Sequence, residues 1–146
     1  TNAPQAMSKP TALWTGSLVL IWGATTVPGG GRYDPVADTW APISLLNAPS
    51  ARGGHSAVWT GSRMIVWGGW NGSNGYVNTG GAYDPLTDIW SYVSTGPGVP
   101  SARSLHSAVW TGSIMIVWGG YPGVISQAAR SNTGKRQRQP SQPPEP

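Results

Sequence analysis

The sequence is organised around one phrase of 15 residues that occurs three times. Residues 55–69 read HSAVWTGSRMIVWGG, and residues 106–120 repeat them with Ile114 in place of Arg63. A more divergent copy, PTALWTGSLVLIWGA, occupies residues 10–24. Repetition on this scale constrains the fold more than any single residue does, because each copy must form the same unit and bury it against its neighbours. We therefore predict a repeat protein.

The spacing of the copies favours β-strands. Trp14, Trp59 and Trp110 are separated by 45 and 51 residues, which suits a four-stranded blade better than a helical hairpin. The chain also contains 21 Gly and 14 Pro and no Phe, a composition typical of short strands joined by turns.

Each unit divides into four short runs that predict strands. Residues 55–60 and 63–67 are rich in Val, Ile and Trp, and they are joined at Gly61, or Gly112 in the third copy, where glycine permits a tight turn. These two runs are predicted to be the inner strands. Residues 79–83 and 90–94 follow, separated by a turn that begins at Asp84. One unit is therefore predicted to be a four-stranded antiparallel meander.

Composition removes several functional classes. The absence of cysteine excludes a disulfide framework, a thiolate nucleophile and a Cys-based zinc site. No stretch approaches the roughly 20 apolar residues of a membrane helix, so we expect a soluble chain. The net charge of +4 arises near the ends, from Lys9 and from residues 125–146. That last segment is predicted to be a disordered basic tail, with weak polyanion binding as its functional alternative.

The recurring elements resemble kelch repeats of the bacterial type, within the superfamily of the galactose-oxidase-like central domain. Paired glycines close an inner strand, a Tyr-Asp-Pro turn follows, and a tryptophan stands shortly after it. In the second and third copies these residues are Gly68, Gly69, Tyr83, Asp84, Pro85, Trp90, Gly119 and Gly120. The resemblance covers about residues 10–121 and implies a β-propeller of four-stranded blades around a central channel.

The expected fold is all-β, with about two and a half kelch-type blades and an incomplete ring. We assign residues 1–9 to an N-terminal extension, 10–46 to a divergent first blade, 47–98 to a second blade and 99–124 to the inner half of a third. Trp40 and Trp90 are expected to fill the spaces between adjacent blades. Closed propellers have about four to eight blades. Either the chain is part of a longer propeller, or copies of it complete one another.

The segments that lead into the inner strands carry candidate ligand-binding residues. The resemblance implies that kelch propellers bind ligands with these loops, which here contain Arg52, Gly53, Arg103 and Ser104. Structural arginines that bond to blade carbonyls are the alternative. In the first copy we expect Lys9 to replace the arginine.

Two histidines, His55 and His106, occupy equivalent positions, and Pro10 stands there in the first copy. They are further candidates for ligand binding. A metal site requires three or four converging ligands, so we favour a bond to a neighbouring loop or backbone carbonyl and predict neither a metal nor a cofactor.

A carbohydrate contact is the alternative for the loop at residues 70–76. Trp70 and Asn71, with Tyr121 in the third copy, combine an aromatic face for stacking on sugars with an amide for hydroxyls. A connector without ligand is the competing interpretation.

The sequence shows no pattern of reactive residues. The copper radical oxidases of the resembling family need a tyrosine crosslinked to cysteine, which this chain lacks. We predict a non-catalytic scaffold that binds a protein partner or associates with itself, with a carbohydrate-binding or carbohydrate-active propeller as the alternative. Membrane partners are not expected, and nucleic acid is disfavoured. An extracytoplasmic or secreted location is favoured, and the cytoplasm stays open.

Overall fold

The computed structural model describes residues 3–24, 26–72 and 75–121. The first blade is a sheet in the order β1-β2-β3-β4, in which each strand pairs antiparallel with the next one along the chain. Its strands are β1 (Thr11–Trp14), β2 (Val19–Trp22), β3 (Gly30–Asp34) and β4 (Thr39–Pro42). The tail at 125–146 lies outside the described residues.

The second blade repeats this topology, and the third is described as a hairpin. The second contains β5 (Ser56–Trp59), β6 (Met64–Trp67), β7 (Gly80–Asp84) and β8 (Ile89–Tyr92), in the order β5-β6-β7-β8. The third contains β9 (Ser107–Trp110) paired with β10 (Met115–Trp118). The predicted all-β fold of about two and a half propeller blades is confirmed. The domain boundaries remain predictions.

The turns follow the predicted chemistry. Between β5 and β6, the Thr60 amide donates to the Arg63 carbonyl at 3.0 Å and Gly61 has a φ of +96°. Between β7 and β8, the carboxylate of Asp84 accepts a hydrogen bond from the Leu86 amide at 2.9 Å. At the Gly61 turn β5 and β6 each stop one residue short of the predicted runs, because the Thr60 and Arg63 backbone groups close the loop. At the Asp84 turn β7 and β8 each extend one residue beyond the predicted runs, to Asp84 and Ile89.

The core lies between blades. Strand β6 is buried along its whole length. Because successive side chains of a strand point to opposite faces, its residues divide between two clusters. Met64 and Val66 pack towards the first blade, with Leu20, Trp22, Ile43, Tyr83 and Trp90. Ile65 and Trp67 pack towards the third blade, with Val58, Met115 and Val117.

Trp90 and Trp40 differ in their packing, although they occupy equivalent positions. Trp90 is 2% exposed and lies 4.6 Å, between ring centroids, from Trp22 of the first blade. Trp40 is only half-buried and packs on Tyr33 of its own blade at 5.0 Å. Among the described residues Trp40 packs within its own blade, and the expectation that it also fills an interblade space remains a prediction.

The N-terminal segment is in a different register from the predicted one. A Cβ on Gly31 would lie 3.1 Å from Pro4, just as one on Gly81 would lie 2.9 Å from Pro49. Lys9 shares the left-handed φ of Gly54 and Leu105. Lys9 therefore corresponds to Gly54, and Met7 stands where the second blade has its arginine. The predicted replacement of arginine by Lys9 is wrong.

Candidate binding surface at the blade loops

The loops after the inner hairpins pair with the segments that lead into them. Gly53 and Trp70 exchange two backbone hydrogen bonds, of 2.9 and 2.8 Å. Ser104 and Tyr121 make the same pair in the third blade, with both bonds at 2.7 Å. The pairing brings residues from both sides of each hairpin to one end of the blades.

A cavity of about 230 Å³ lies at this end. It is lined by Lys9, Gly53, Gly54, Trp70, Tyr76, Ser104 and Leu105. Three of these residues, Lys9, Gly54 and Leu105, occupy the same position in three successive units. The cavity is thus formed where the segments entering β1, β5 and β9 converge, and Lys9 is the one charged side chain in its described lining.

Three aromatic rings run from the cavity towards the third blade. Trp70 packs edge-on against Tyr76 with centroids 5.0 Å apart, and Tyr76 packs against Tyr121 at 5.5 Å. Trp70 is 44% exposed and Tyr121 is 61% exposed. Edge-to-face pairs hold the rings in a fixed arrangement while part of each stays open to solvent. We call Trp70, Tyr76 and Tyr121 the aromatic row.

The structure brings together part of the predicted set. Gly53, Trp70 and Ser104 line the cavity, while Tyr121 extends the aromatic row and Asn71 follows Trp70 directly. The sequence-based list omits Lys9, Gly54, Leu105 and Tyr76. Lys9, Gly54 and Leu105 share a position in the repeat but not a residue type, so only the register of the repeat could have indicated them. Ligand binding by this set remains a prediction.

Arg52 is turned into its own blade. It is 2% exposed, and its guanidinium donates to the carbonyls of Gly68 at 3.1 Å and Thr79 at 2.8 Å. Further bonds reach the carbonyl and hydroxyl of Ser50 at 2.9 and 3.1 Å. Burial lowers the pKa of Arg52 to about 10, so it stays protonated at neutral pH. The arginine fastens the entering segment to the end of β6 and the start of β7.

Arg103 makes a similar set of bonds in the third blade, and we call each set an arginine clamp. It is also 2% exposed and donates to the Ser101 carbonyl at 3.0 Å, the Ser101 hydroxyl at 2.8 Å and the Gly119 carbonyl at 2.9 Å. Neither guanidinium lines the cavity. The geometry therefore matches the structural alternative for both arginines.

The two histidines join consecutive blades. His55 Nε2 shares a hydrogen bond with the Thr11 hydroxyl of the first blade at 3.0 Å, and His106 Nε2 shares one with the Ser56 hydroxyl of the second at 2.7 Å. We call this contact the histidine clasp. His106 also packs edge-on against Trp67, with ring centroids 5.1 Å apart.

Both histidines are neutral at pH 7. Burial, and then the neighbouring Arg52 charge, lower the pKa of His55 to about 4 against the opposing effect of backbone carbonyls. Burial and the charge of Arg103 lower the pKa of His106 to about 4 as well. Across the described ranges, no three His, Cys, Asp or Glu side chains are grouped so as to hold a metal ion. Nor does that part of the chain contain a helix long and apolar enough to span a membrane.

Antiparallel four-stranded blades joined through a shared interblade core define a β-propeller repeat domain. A family model described as the KLHDC2/KLHL20/DRC7 Kelch-repeats domain matches residues 9–135. The chain belongs to the kelch-repeat family. The match extends beyond Tyr121 into the predicted tail, outside the described residues. No curated protein gives a significant match to the chain. Kelch-repeat domains generally mediate protein–protein interaction and are usually non-catalytic.

Proposed function

We propose that the chain is a non-catalytic kelch scaffold that binds a segment of a partner protein across the cavity and the aromatic row. The observation that carries this proposal is the row itself, in which partly exposed Trp70 and Tyr121 flank Tyr76 beside a cavity of about 230 Å³.

The chemistry of this surface favours a peptide segment with an apolar side chain. Tryptophan and tyrosine dominate the energetic centres of protein interfaces because they bury a large area with few rotatable bonds. Gly53 and Gly54 contribute no side chain to the lining, and the side chain of Leu105, which lies against Gly54 and is 68% exposed, offers the partner an apolar contact. Lys9 at the rim would repel a basic segment.

A selection from displayed random peptides tests this proposal. We expect enriched peptides to bind the wild type and to lose at least about tenfold in affinity with Trp70→Ala or Tyr121→Ala, since losing an aromatic anchor costs about 2 kcal/mol or more. Trp14→Ala is the matched control, because Trp14 is 54% exposed in the first blade but does not line the cavity. Peptides that bind all of these variants equally would overturn the proposal.

Carbohydrate binding is a second candidate, supported by the solvent-exposed part of Trp70 and by its neighbour Asn71. A glycan array distinguishes the two functions. Sugar binding that is lost with Trp70→Ala, Asn71→Ala and Tyr121→Ala would favour the second candidate, and a silent array would remove it.

Association of copies into a ring is a third candidate for the chain. It is the weakest of the three candidates. The second and third blades contact the preceding blade through His55 and His106, and the first blade has Pro10 at this position. The extracytoplasmic location remains a prediction from the sequence.

A further inference from the structure

The first blade contains a cavity of about 400 Å³ that has no described lining residue in common with the cavity beside the aromatic row. Its walls are the segment that enters β1, the loop between β2 and β3, and the end of β4 with the residues after it. All of these elements belong to the first blade or to the segment that leads into it. Gln5 and Val27 in the lining are exposed, so the cavity is open to solvent.

The second blade shows what occupies the corresponding position. There the guanidinium of Arg52 donates to the carbonyl and hydroxyl of Ser50 and to the carbonyls of Gly68 and Thr79, over 2.8 to 3.1 Å. We call this set of oxygens the guanidinium cradle. None of these oxygens is a carboxylate, and all of them belong to the second blade itself. A single blade is therefore sufficient to hold a buried guanidinium with neutral acceptors.

The entering segment of the first blade provides one side of the same cradle. The contact of Pro4 with its blade aligns Gln5 with Ser50 and Met7 with Arg52. Gln5 and Met7 both line the cavity. The Met7 side chain has no hydrogen-bond donor, so it cannot replace the guanidinium. The cavity thus lies where the first blade lacks the arginine of the second.

The opposite wall provides the second side. Gly29 lines the cavity, and its carbonyl accepts the Gly23 amide at 3.0 Å, just as the Thr79 carbonyl accepts the Gly68 amide at 3.0 Å. The Thr79 carbonyl also accepts the bond of 2.8 Å from Arg52, because a carbonyl oxygen has two lone pairs. A Cβ on Gly29 would meet no atom within 4 Å, so the space beside this residue is open.

We propose that this cavity binds a guanidinium group carried on an aliphatic chain, in the position that Arg52 has in the second blade. The guanidinium donates to the carbonyls of Gly29 and Gln5. The aliphatic chain packs against Ile43 and Leu45, as arginine stems do on apolar surfaces. No side chain in the described lining is charged. Selectivity therefore arises from the planar fork of donors, which an ammonium group lacks.

NMR of the protein labelled with ¹³C in its methionine methyl groups tests this proposal. Met7 lies in the cavity, whereas Met64 and Met115 are buried between blades and serve as internal controls. We expect Nα-acetyl-arginine methylamide to shift the Met7 methyl with a dissociation constant on the order of 1 mM, as a few charged hydrogen bonds allow. The matching lysine and citrulline compounds should bind at least about tenfold more weakly, since lysine lacks the fork and citrulline lacks the charge.

Two arginine substitutions make the test specific to the cavity. Met7→Arg supplies the guanidinium from the chain itself and should abolish binding, measured by saturation transfer to the ligand. Ser113→Arg adds the same charge in the exposed turn between β9 and β10 and should leave binding unchanged. Circular dichroism confirms that each variant is folded.

The source of the guanidinium is distinguished by free L-arginine. Tighter binding of free L-arginine than of the blocked compound would assign the cavity to a small molecule, and the reverse order would assign it to an arginine of a partner chain. A Met7 methyl that does not move with either arginine compound would overturn the proposal. So would equal shifts with the lysine and citrulline compounds, or undiminished binding to folded Met7→Arg.

Discussion

The hydroxyl of Tyr83 donates a hydrogen bond to Asp88 over 2.6 Å, and the same carboxylate oxygen accepts the Ser44 amide of the preceding blade at 3.0 Å. Arg32 of that blade lies 3.8 Å from the other oxygen. Burial acts to raise the pKa of Asp88, but the bonds from Tyr83 and Ser44 and the charge of Arg32 hold it below its usual value. Asp88, in the turn between β7 and β8, thus links the second blade to the first.

Asp88→Asn should lower the free energy of unfolding by about 1 to 2 kcal/mol, because it weakens charged hydrogen bonds at the blade boundary. The matched control is Asp38→Asn. Asp38 occupies the same turn position and accepts the Tyr33 hydroxyl at 2.7 Å, but the preceding-blade contacts of Asp88 have no counterpart among its described bonds. Urea denaturation measures both variants. Equal losses would show that the interblade bonds add nothing.

The two arginine clamps should differ in strength. Arg52→Met leaves the buried carbonyls of Gly68 and Thr79 without this donor, and we expect a loss of about 3 kcal/mol. Arg103→Met should cost less, since no acceptor equivalent to Thr79 bonds to Arg103 in the described part of the third blade. Arg63→Met, at an exposed turn, is the control and should change stability by less than about 0.5 kcal/mol. Equal losses of unfolding free energy for Arg63→Met and Arg52→Met in chemical denaturation would contradict the structural role assigned to Arg52.

The histidine clasps predict a specific pH dependence. The native pKa of about 4 lies below the ordinary value of 6.5 for both rings. Above about pH 6.5 both rings are neutral in the folded and unfolded states. As the pH falls from 6.5 to 4, the histidines of the unfolded state are protonated first. The free energy of unfolding therefore decreases by about 3 kcal/mol per histidine.

Unfolding free energy measured between pH 4 and 7 tests this dependence. His106→Gln should reduce its slope by about half, because one of the two titrating rings is removed. His55→Gln should have the same effect. An unchanged slope in both variants would show that the histidines are not responsible.

The first blade has a methionine at the position of the arginine clamp, and a single substitution can introduce the arginine. Met7 stands where the second blade has Arg52, and it lines a cavity of about 400 Å³ together with Gly29 and Gly30. Met7→Arg places a guanidinium near the carbonyls of Gly23 and Gly29, the equivalents of Gly68 and Thr79. We expect stability to rise by about 1 kcal/mol, in line with one net charged hydrogen bond. Thermal unfolding measures the gain, and Ala6→Arg, which adds the same charge at an exposed neighbour, should give none.

The sequence predicted what local chemistry determines. The apolar run that forms β6 and the turn at Asp84 can be recognised from a few adjacent residues, and the all-β blades follow from them. The match of Lys9 to the arginine, which rests on charge, is wrong, although the alignment of Pro10 with His55 is right. Distance from the tryptophan is the better guide, since Met7 precedes Trp14 by seven residues as Arg52 precedes Trp59.

The interblade contacts could not be predicted in the same way. Asp88 bonds to Ser44, and His106 to Ser56, over separations of 44 and 50 residues. No local pattern distinguishes Asp88 from Asp38, because the difference lies in which blade stands beside each. The cavity could not be predicted from the sequence for a related reason, since Lys9, Gly54 and Leu105 share a backbone conformation but no side-chain type.

In both histidine clasps the histidine belongs to the later blade and the hydroxyl to the blade that precedes it in the sequence. A chain emerging from the ribosome therefore finds each receiving hydroxyl already synthesised when the corresponding histidine appears. N-terminal units generally fold first during synthesis. Each blade that carries a histidine can therefore dock on a preceding blade that has already been synthesised.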